Sequence, residues 1–397
     1  MRSRHSPIAE PLAGASQERW TANLPIALLF AVAIAARALL LTAMPLQALA
    51  VAGDAAGVSR IYFIGSLASL ASSLLLPALL ARVARPAVFL LGCVLAVAGP
   101  SLAAIPTSTT LILGLAAQMA SVAIIEIVLN LFVLDRVPRR RLSTFESMRL
   151  FVSGLAWMTG PYLGVWLQEN FGHDVPFHAA SAMGLVLVLA FLALRPLAVR
   201  QAAMASPLVA IGRYWRQPRL RLAWVLAFGR SCWWVMFFVY GPIFLVDQLG
   251  YSRDTAGAIA SAVLGITFLV PLWGWIGRRI TFRRLLILGY ALSALATVPL
   301  ALVGSPPWLA AGLLIFASIL TSVIDGAGNT PFLRAVKPLQ KAEMTAVFMT
   351  YRDGSQLATP GLFSQLLKFL PLSSVFVVTA LGMAGLALLA RYLPKRF

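Results

Sequence analysis

Residues 121–130 read SVAIIEIVLN, and residues 321–329 read TSVIDGAGN. Each stretch sets one carboxylate in a long apolar run and one asparagine four residues on: Glu126 with Asn130, Asp325 with Asn329, an offset of 199. Pro161 recurs at the same offset as Pro360. Asp54-Ala-Ala-Gly57 matches Asp254-Thr-Ala-Gly257 at an offset of 200, with Gly65 matching Gly265. The chain has 397 residues, so each copy fills one half of it. An ionisable side chain inside a membrane helix costs at least roughly 2.5 kcal/mol. A carboxylate that recurs at the same place in both halves therefore reads as a built feature.

The rest of the composition agrees with a membrane setting. Hydrophobic residues make up 60% of the chain and charged residues 11%, with a mean hydropathy of +0.86. A soluble domain carries about a quarter charged residues. The apolar blocks are continuous over roughly 18 to 25 residues, the length of a bilayer-crossing helix, and do not alternate as barrel strands do. Twelve spans follow, at 23–45, 58–80, 87–104, 108–134, 143–168, 177–194, 220–246, 256–277, 284–303, 308–332, 343–368 and 372–392. The fold class expected is an all-α membrane protein with two pseudo-symmetric six-helix bundles. The domain plan is a tail over 1–22, a bundle over 23–194, a central loop over 195–219, a second bundle over 220–392 and a tail over 393–397.

The net charge of +19 is explained by topology. With residues at the span ends counted to the face they adjoin, 25 of the 32 Lys and Arg residues fall on one side and three, Arg60, Arg253 and Lys368, on the other. The positive-inside rule then places both termini and the central loop in the cytoplasm. Nucleic acid is not expected as a partner; the lipid bilayer is. The two cysteines, Cys93 and Cys232, lie in apolar spans, and no disulfide framework or metal-ligand spacing is present. The first span has no small-residue cleavage pattern after it and reads as a retained helix. The three histidines lie away from any intramembrane carboxylate pair, and no phosphate-binding Gly-Lys loop occurs, so neither an enzyme nor a cofactor is expected.

Twelve spans in two halves, a basic central loop and short basic loops after spans two and eight resemble the major facilitator superfamily. Gly154-Leu-Ala-Trp-Met-Thr-Gly160-Pro161-Tyr-Leu-Gly164 in span five is similar to the Gly-Pro motif of that family's antiporter branches. The acidic Gly-rich loop of the family appears without its acid, as Ala81-Arg82-Val-Ala-Arg85-Pro86 and Gly274-Trp-Ile-Gly277-Arg278-Arg279. The resemblance implies a monomeric secondary transporter in the bacterial inner membrane, with a central site formed by spans 1, 4, 7 and 10. The Gly-Pro motif implies antiport, hence efflux.

Seven ionisable residues lie well inside spans: Arg37, Glu126, Arg149, Arg230, Asp325, Arg352 and Asp353. Residues equidistant from a short hairpin loop sit at the same depth. The midpoint of 126 and 149 falls in the loop 135–142, and that of 325 and 352 in the loop 334–341. Each residue lies about 10–13 Å from its helix end. The expected pairs are Glu126 with Arg149 and Asp325 with Arg352, serving either as static cross-links or as a titrating pair. A neighbouring guanidinium favours the charged carboxylate, while burial favours the neutral acid. Asp353 has no counterpart in the first half, where the offset gives Gly154, and stands as a coupling candidate.

Arg37 and Arg230, in spans one and seven, resemble the arginine pair with which the family's organophosphate antiporters hold a phosphate. Asn130 and Asn329 are expected to line the cavity or bond across helices. Trp233, Trp234, Phe237, Phe238 and Tyr240 are candidates for an aromatic wall, or for helix packing. Gly241-Pro242 and Gly160-Pro161, with Pro360, are expected hinge or packing points. The substrate is expected to be a small molecule, with protons as coupling ion. The alternatives are a transport-inactive scaffold or sensor on the same fold, and a lipid-translocating variant.

Overall fold

Without water to satisfy backbone amides and carbonyls, an apolar chain of this length closes its hydrogen bonds within helices. The computed structural model describes residues 24–137, 142–194, 207–302, 306–337 and 340–394, and among them every regular element is helical. The expected tail over 1–22 and the stretch 195–206 of the central loop lie outside the described residues.

The first half forms α1 (Leu24–Ala52), α2 (Ala55–Arg82), α3 (Arg85–Ala103), α4 (Ser108–Arg136), α5 (Leu142–Phe171) and α6 (Val175–Leu194). The short α7 (Pro207–Trp215) leads into α8 (Pro218–Ile243), which continues as a π-helical turn over Phe244–Gln248. Then come α9 (Arg253–Gly265), α10 (Val270–Ile280), α11 (Phe282–Thr297), α12 (Pro307–Ala327), α13 (Thr330–Ala335), α14 (Lys341–Met349), α15 (Tyr351–Leu366) and α16 (Ser374–Leu389). Eleven segments among the described residues are long and apolar enough to cross a membrane.

Three expected spans are interrupted. The eighth bends through a 3-10 turn at Ile266–Leu269 between α9 and α10. The tenth breaks at Gly328, whose φ of +51° and ψ of −131° suit glycine, before Pro331 restarts a helix. The eleventh is split at Thr350 into α14 and α15, of 9 and 16 residues, and so does not count among the eleven. The last two breaks flank Asp325 and Arg352.

The repeated helix starts also differ. Asp54 caps α2, its Oδ1 accepting from Gly57 N at 2.6 Å. In the second copy Ser252 caps α9 from Thr255 N at 3.2 Å, so Asp254 falls inside the first turn.

Close packing uses small residues, as expected where lipid gives no hydrophobic drive between helices. A Cβ on Gly160 would meet Ala38, and one on Gly164 would overlap the Leu39 carbonyl, so α5 lies directly on α1. The two halves meet mainly along two seams, α2 against α15 and α5 against α9, and α1 also packs on α8. The C-terminal ends of α2, α4 and α13 mark one face, the basic one; the loops at 104–107 and 172–174 mark the other. Near the second face Ser59 Oγ lies 2.7 Å from Tyr240 Oη, Ser261 Oγ accepts from Tyr162 N at 2.9 Å, and Arg253 pairs with Glu169 at 3.7 Å. Halfway down, Gly154 abuts Phe268, and Ser66 Oγ reaches the Gln356 carbonyl at 2.7 Å. Among the described residues no hydrogen bond or ion pair joins the halves nearer the basic face than the level of Ser73 and Glu126. Among the described residues, the polar contacts between the halves therefore run from the second face to mid-depth.

Candidate functional site

At that mid-depth the four halves of two ion pairs come together, but with exchanged partners. Glu126 on α4 accepts from Arg352 Nη1 on α15 at 2.9 Å, a bond between the two halves of the chain. Asp325 on α12 pairs with Arg230 Nε on α8 at 3.4 Å. The expected pairs Glu126–Arg149 and Asp325–Arg352 do not form. Equal distance from a loop fixes depth, but the 3.6-residue turn fixes azimuth, and azimuth decides the neighbour. Arg149 points toward α1, its guanidinium 4.7 Å from the Phe30 ring centroid.

A residue that the sequence reading passed over links the two pairs. Tyr351 Oη accepts from Arg230 Nη2 at 3.3 Å and from Arg352 Nε at 3.3 Å. A continuous chain runs Asp325–Arg230–Tyr351–Arg352–Glu126, from α12 through α8 and α15 to α4. Its two ends differ in exposure. Arg230 and Asp325 are 11% and 25% exposed, whereas Arg352 and Glu126 are 47% and 38% exposed. Arg352 and Glu126 face each other across the two halves, so the space they border lies between the halves. Trp234 Nε1 donates to Asp325 Oδ2 at 3.1 Å, and Arg230 Nη2 donates to Asn329 Oδ1 at 3.4 Å. Arg230, Tyr290, Gly328 and Asn329 border a small cavity at the α12–α13 break.

Arg230 is thus neutralised and does not join Arg37 as an open pair of cations. Arg37 on α1 lies over Trp157 on α5, 5.3 Å from the ring centroid, within electrostatic reach of Glu126 and Arg352. Gly160 and Gly164 carry α5 onto α1 beside it. Among the described residues no carboxylate lies within ion-pair distance of Arg37. Two guanidiniums, Arg37 and Arg352, therefore share the field of one carboxylate.

The aromatic row of α8 divides by face. Trp233, Phe237 and Tyr240 are buried in the packed core, with Trp233 stacked on Phe237 and its Nε1 donating to Thr297 Oγ1 at 3.0 Å. They form helix packing and not a wall. Trp234 and Phe238, on the other face, are half-buried and stacked at 5.6 Å. Gly241 and Pro242 lie inside α8, and the departure from α-helical geometry starts just after them at Phe244. Pro161 and Pro360 sit inside the unbroken helices α5 and α15.

The asparagines lose their symmetry. Asn329 is pulled to the helix break and bound by Arg230, while Asn130 stays in continuous α4, half-buried and without a side-chain hydrogen bond among the described residues. Asp353 faces α2, where Ser69 Oγ donates to its Oδ1 at 3.2 Å and Ser73 also bonds it. Ser66, Ser69 and Ser73 lie at i, i+3 and i+7, on one face of α2. That spacing was the available sequence signal for them. No group of three or more metal-ligating side chains occurs among the described residues.

A family model described as Major Facilitator Superfamily matches residues 26–360 and 238–397. Sugar efflux transporter A of Escherichia coli (strain K12) is 22% identical over 190 residues, 48% of this chain and 48% of that protein. The match thus spans about half the length of this curated relative. The solved nucleoside transporter NupG superposes with a TM-score of 0.76 at 14% identity, over 93% of this chain and 98% of that one. A POT family transporter in complex with 5-aminolevulinic acid gives 0.72 at 14% identity, over 91% and 94%. At these identities the solved structures speak for the fold alone.

Proposed function

The chain belongs to the Major Facilitator Superfamily, and from that premise we propose that it is a secondary active transporter moving a small molecule across the bacterial inner membrane by alternating access. Its topology is twelve spans, with the split α14–α15 segment as the eleventh and both termini and the basic face in the cytoplasm. Residues 23–194 and 220–392 act as two six-helix bundles that rock about the level of the ion-pair chain. The contacts between the halves near the outer loops support reading this state as closed outside and open toward the cytoplasm.

The observation that carries this reading is the Glu126–Arg352 bond. It joins the two halves at mid-depth, both side chains are more than a third exposed, and among the described residues the other polar contacts between the ends of the two halves lie on its outer side. A charge in a span is tolerated when it pairs or borders a wet cavity, and this pair does both. Arg37, Trp157, Trp234, Phe238 and Asn130 complete the substrate-facing set. Two cations around one acid suit a cargo with an anionic group, and the aromatics suit an apolar body. Glu126, Asp325 and Asp353 are the titrating candidates for proton coupling. The Gly160-Pro161 motif and the likeness to a protein named for sugar efflux support export by antiport.

Uptake into inside-out proteoliposomes under an imposed pH gradient tests the proposal. The panel is labelled sugars, nucleosides, short peptides and aromatic carboxylates. Saturable uptake of one class, lost in Arg352→Gln, is expected. No flux for any class, from protein shown to be folded, would exclude the reading.

A further inference from the structure

Three carboxylates lie in the middle of the spans, and two of them have a guanidinium: Arg352 for Glu126 and Arg230 for Asp325. Asp353 has none. Its carboxylate is bonded instead by the hydroxyls of Ser69, at 3.2 Å, and Ser73. Arg352 is its chain neighbour, but that guanidinium is spent on Glu126 and Tyr351. The side chain is half-buried between α2 and α15, a seam that belongs to both halves of the chain.

Among the described residues the surroundings supply oxygens, and the nearest guanidinium, that of Arg352, is paired with Glu126. From α2 come Ser66, Ser69 and Ser73; that helix carries Arg60 near one end and Arg82 at the other, both exposed and neither at this level. From α8 comes Arg230, held by Asp325. The charged residues of α14, Lys341 and Glu343, stand in its first turn, far from Asp353 along the chain. From α4 comes Glu126, whose charge reaches Asp353 together with that of Arg352. The carbonyl of Gln356 lies one turn further along α15, 2.7 Å from Ser66 Oγ.

A lone carboxylate among hydroxyls and a carbonyl, at membrane mid-depth, is costly as an anion. Hydroxyl, carbonyl and carboxylate oxygens are also the ligands that hard cations take. We propose that Asp353, Ser69 and Ser73 form a binding site for one monovalent cation, a proton or Na⁺, on the seam between α2 and α15. Its role as the coupling-ion site rests on the transport reading above; the binding itself does not. With the cation bound the seam is neutral and closes. With the site empty, a bare charge favours parting α2 from α15 so that water reaches Asp353. Cation occupancy thereby biases which face is open.

The test is a thermal unfolding series on the purified full chain in lipid nanodiscs, wild type beside Asp353→Asn. NaCl replaces choline chloride at constant ionic strength, at several values between pH 5 and 9. A saturable rise in Tm with Na⁺, absent in Asp353→Asn, assigns a sodium site. A wild-type Tm that falls with rising pH relative to the flat Asp353→Asn profile, with no response to Na⁺, assigns a proton site. Identical responses of the two proteins overturn the proposal. If Asp353→Asn does not fold, Ser69→Ala/Ser73→Ala replaces it; an unmoved Na⁺ or pH midpoint then overturns the proposal. A cation response without any flux keeps the site and sinks the transport reading. Flux with no Asp353-dependent response does the reverse.

Discussion

Replacing Tyr240 with Phe isolates the outer seal in a single atom. Ser59 Oγ lies 2.8 Å from the Ala55 carbonyl and 2.7 Å from Tyr240 Oη, so with its own proton on Ala55 it accepts from the phenol. Both side chains are fully buried. Tyr240→Phe removes the donor and leaves no orphan, because Ser59 keeps its bond to Ala55. The loss is then that of one net hydrogen bond, about 1 kcal/mol. Opening the outer face separates α2 from α8 at this point, so the penalty falls on the closed state alone. Since 1.4 kcal/mol is a factor of ten, the open:closed ratio should rise about fivefold. A cysteine at Val165, buried on the companion seam against Gly257, reports the opening in a background lacking Cys93 and Cys232. Its rate of reaction with a membrane-impermeant maleimide should rise by the same factor. A lowered Tm with an unchanged labelling rate would refute the reasoning, because the bond would then serve folding equally in every state.

Further outcomes follow from the same geometry. Asp325→Asn or Arg230→Met alone leaves one charge uncompensated in a site no more than a quarter exposed, at a cost of about 3–5 kcal/mol. The double variant should recover at least half of that loss, read as Tm and as yield of monodisperse protein. Tyr351→Phe should uncouple the two ion pairs. A double-mutant cycle between Glu126→Gln and Asp325→Asn should show at least roughly 0.5 kcal/mol of coupling with Tyr351 present, and none with Phe. Gly164→Ala drives a methyl into the Leu39 carbonyl and should abolish stable protein, whereas Gly382→Ala, with open space at its Cβ, should leave Tm unchanged. Gly328→Ala places an alanine at φ +51° and should cost about 1–2 kcal/mol.

The repeat made much of this legible. Glu126 and Asp325 announced themselves as the only acids at one offset in apolar runs, and both lie in the central chain. The hairpin midpoints led to the partners Glu126–Arg149 and Asp325–Arg352, whereas Arg352 bonds Glu126 and Arg230 pairs with Asp325. A depth argument within one half knows nothing of the facing half, and the shortest ion pair at the site, Glu126–Arg352, is between halves. Tyr351 carried no signal of its own, since one tyrosine beside an arginine is ordinary. The breaks at Gly328 and Thr350 were hidden by a length criterion: 308–332 is long and apolar enough to read as one span, although Gly326, Gly328 and Pro331 are poor helix residues in sequence order. The serines of α2 were visible at i, i+3 and i+7, but such a row gains meaning only once Asp353 is seen opposite it. The aromatic row of α8 misled because adjacent aromatics necessarily point to different faces, so Trp233 and Phe237 packed the core while Trp234 and Phe238 did not.

Reciprocal opening of the two faces is the central claim, and pulsed electron-electron distance measurement addresses it directly. One nitroxide pair at Arg82 and Lys337 spans the halves on the basic face, and another at Asn170 and Gly250 spans them on the opposite face; all four positions are exposed. In nanodiscs, lowering the pH or adding a ligand found in the uptake screen should lengthen one distance as it shortens the other, with each pair showing two populations. A single distance at both faces, unmoved by pH, Na⁺ or ligand, would contradict alternating access and leave the chain a rigid membrane body.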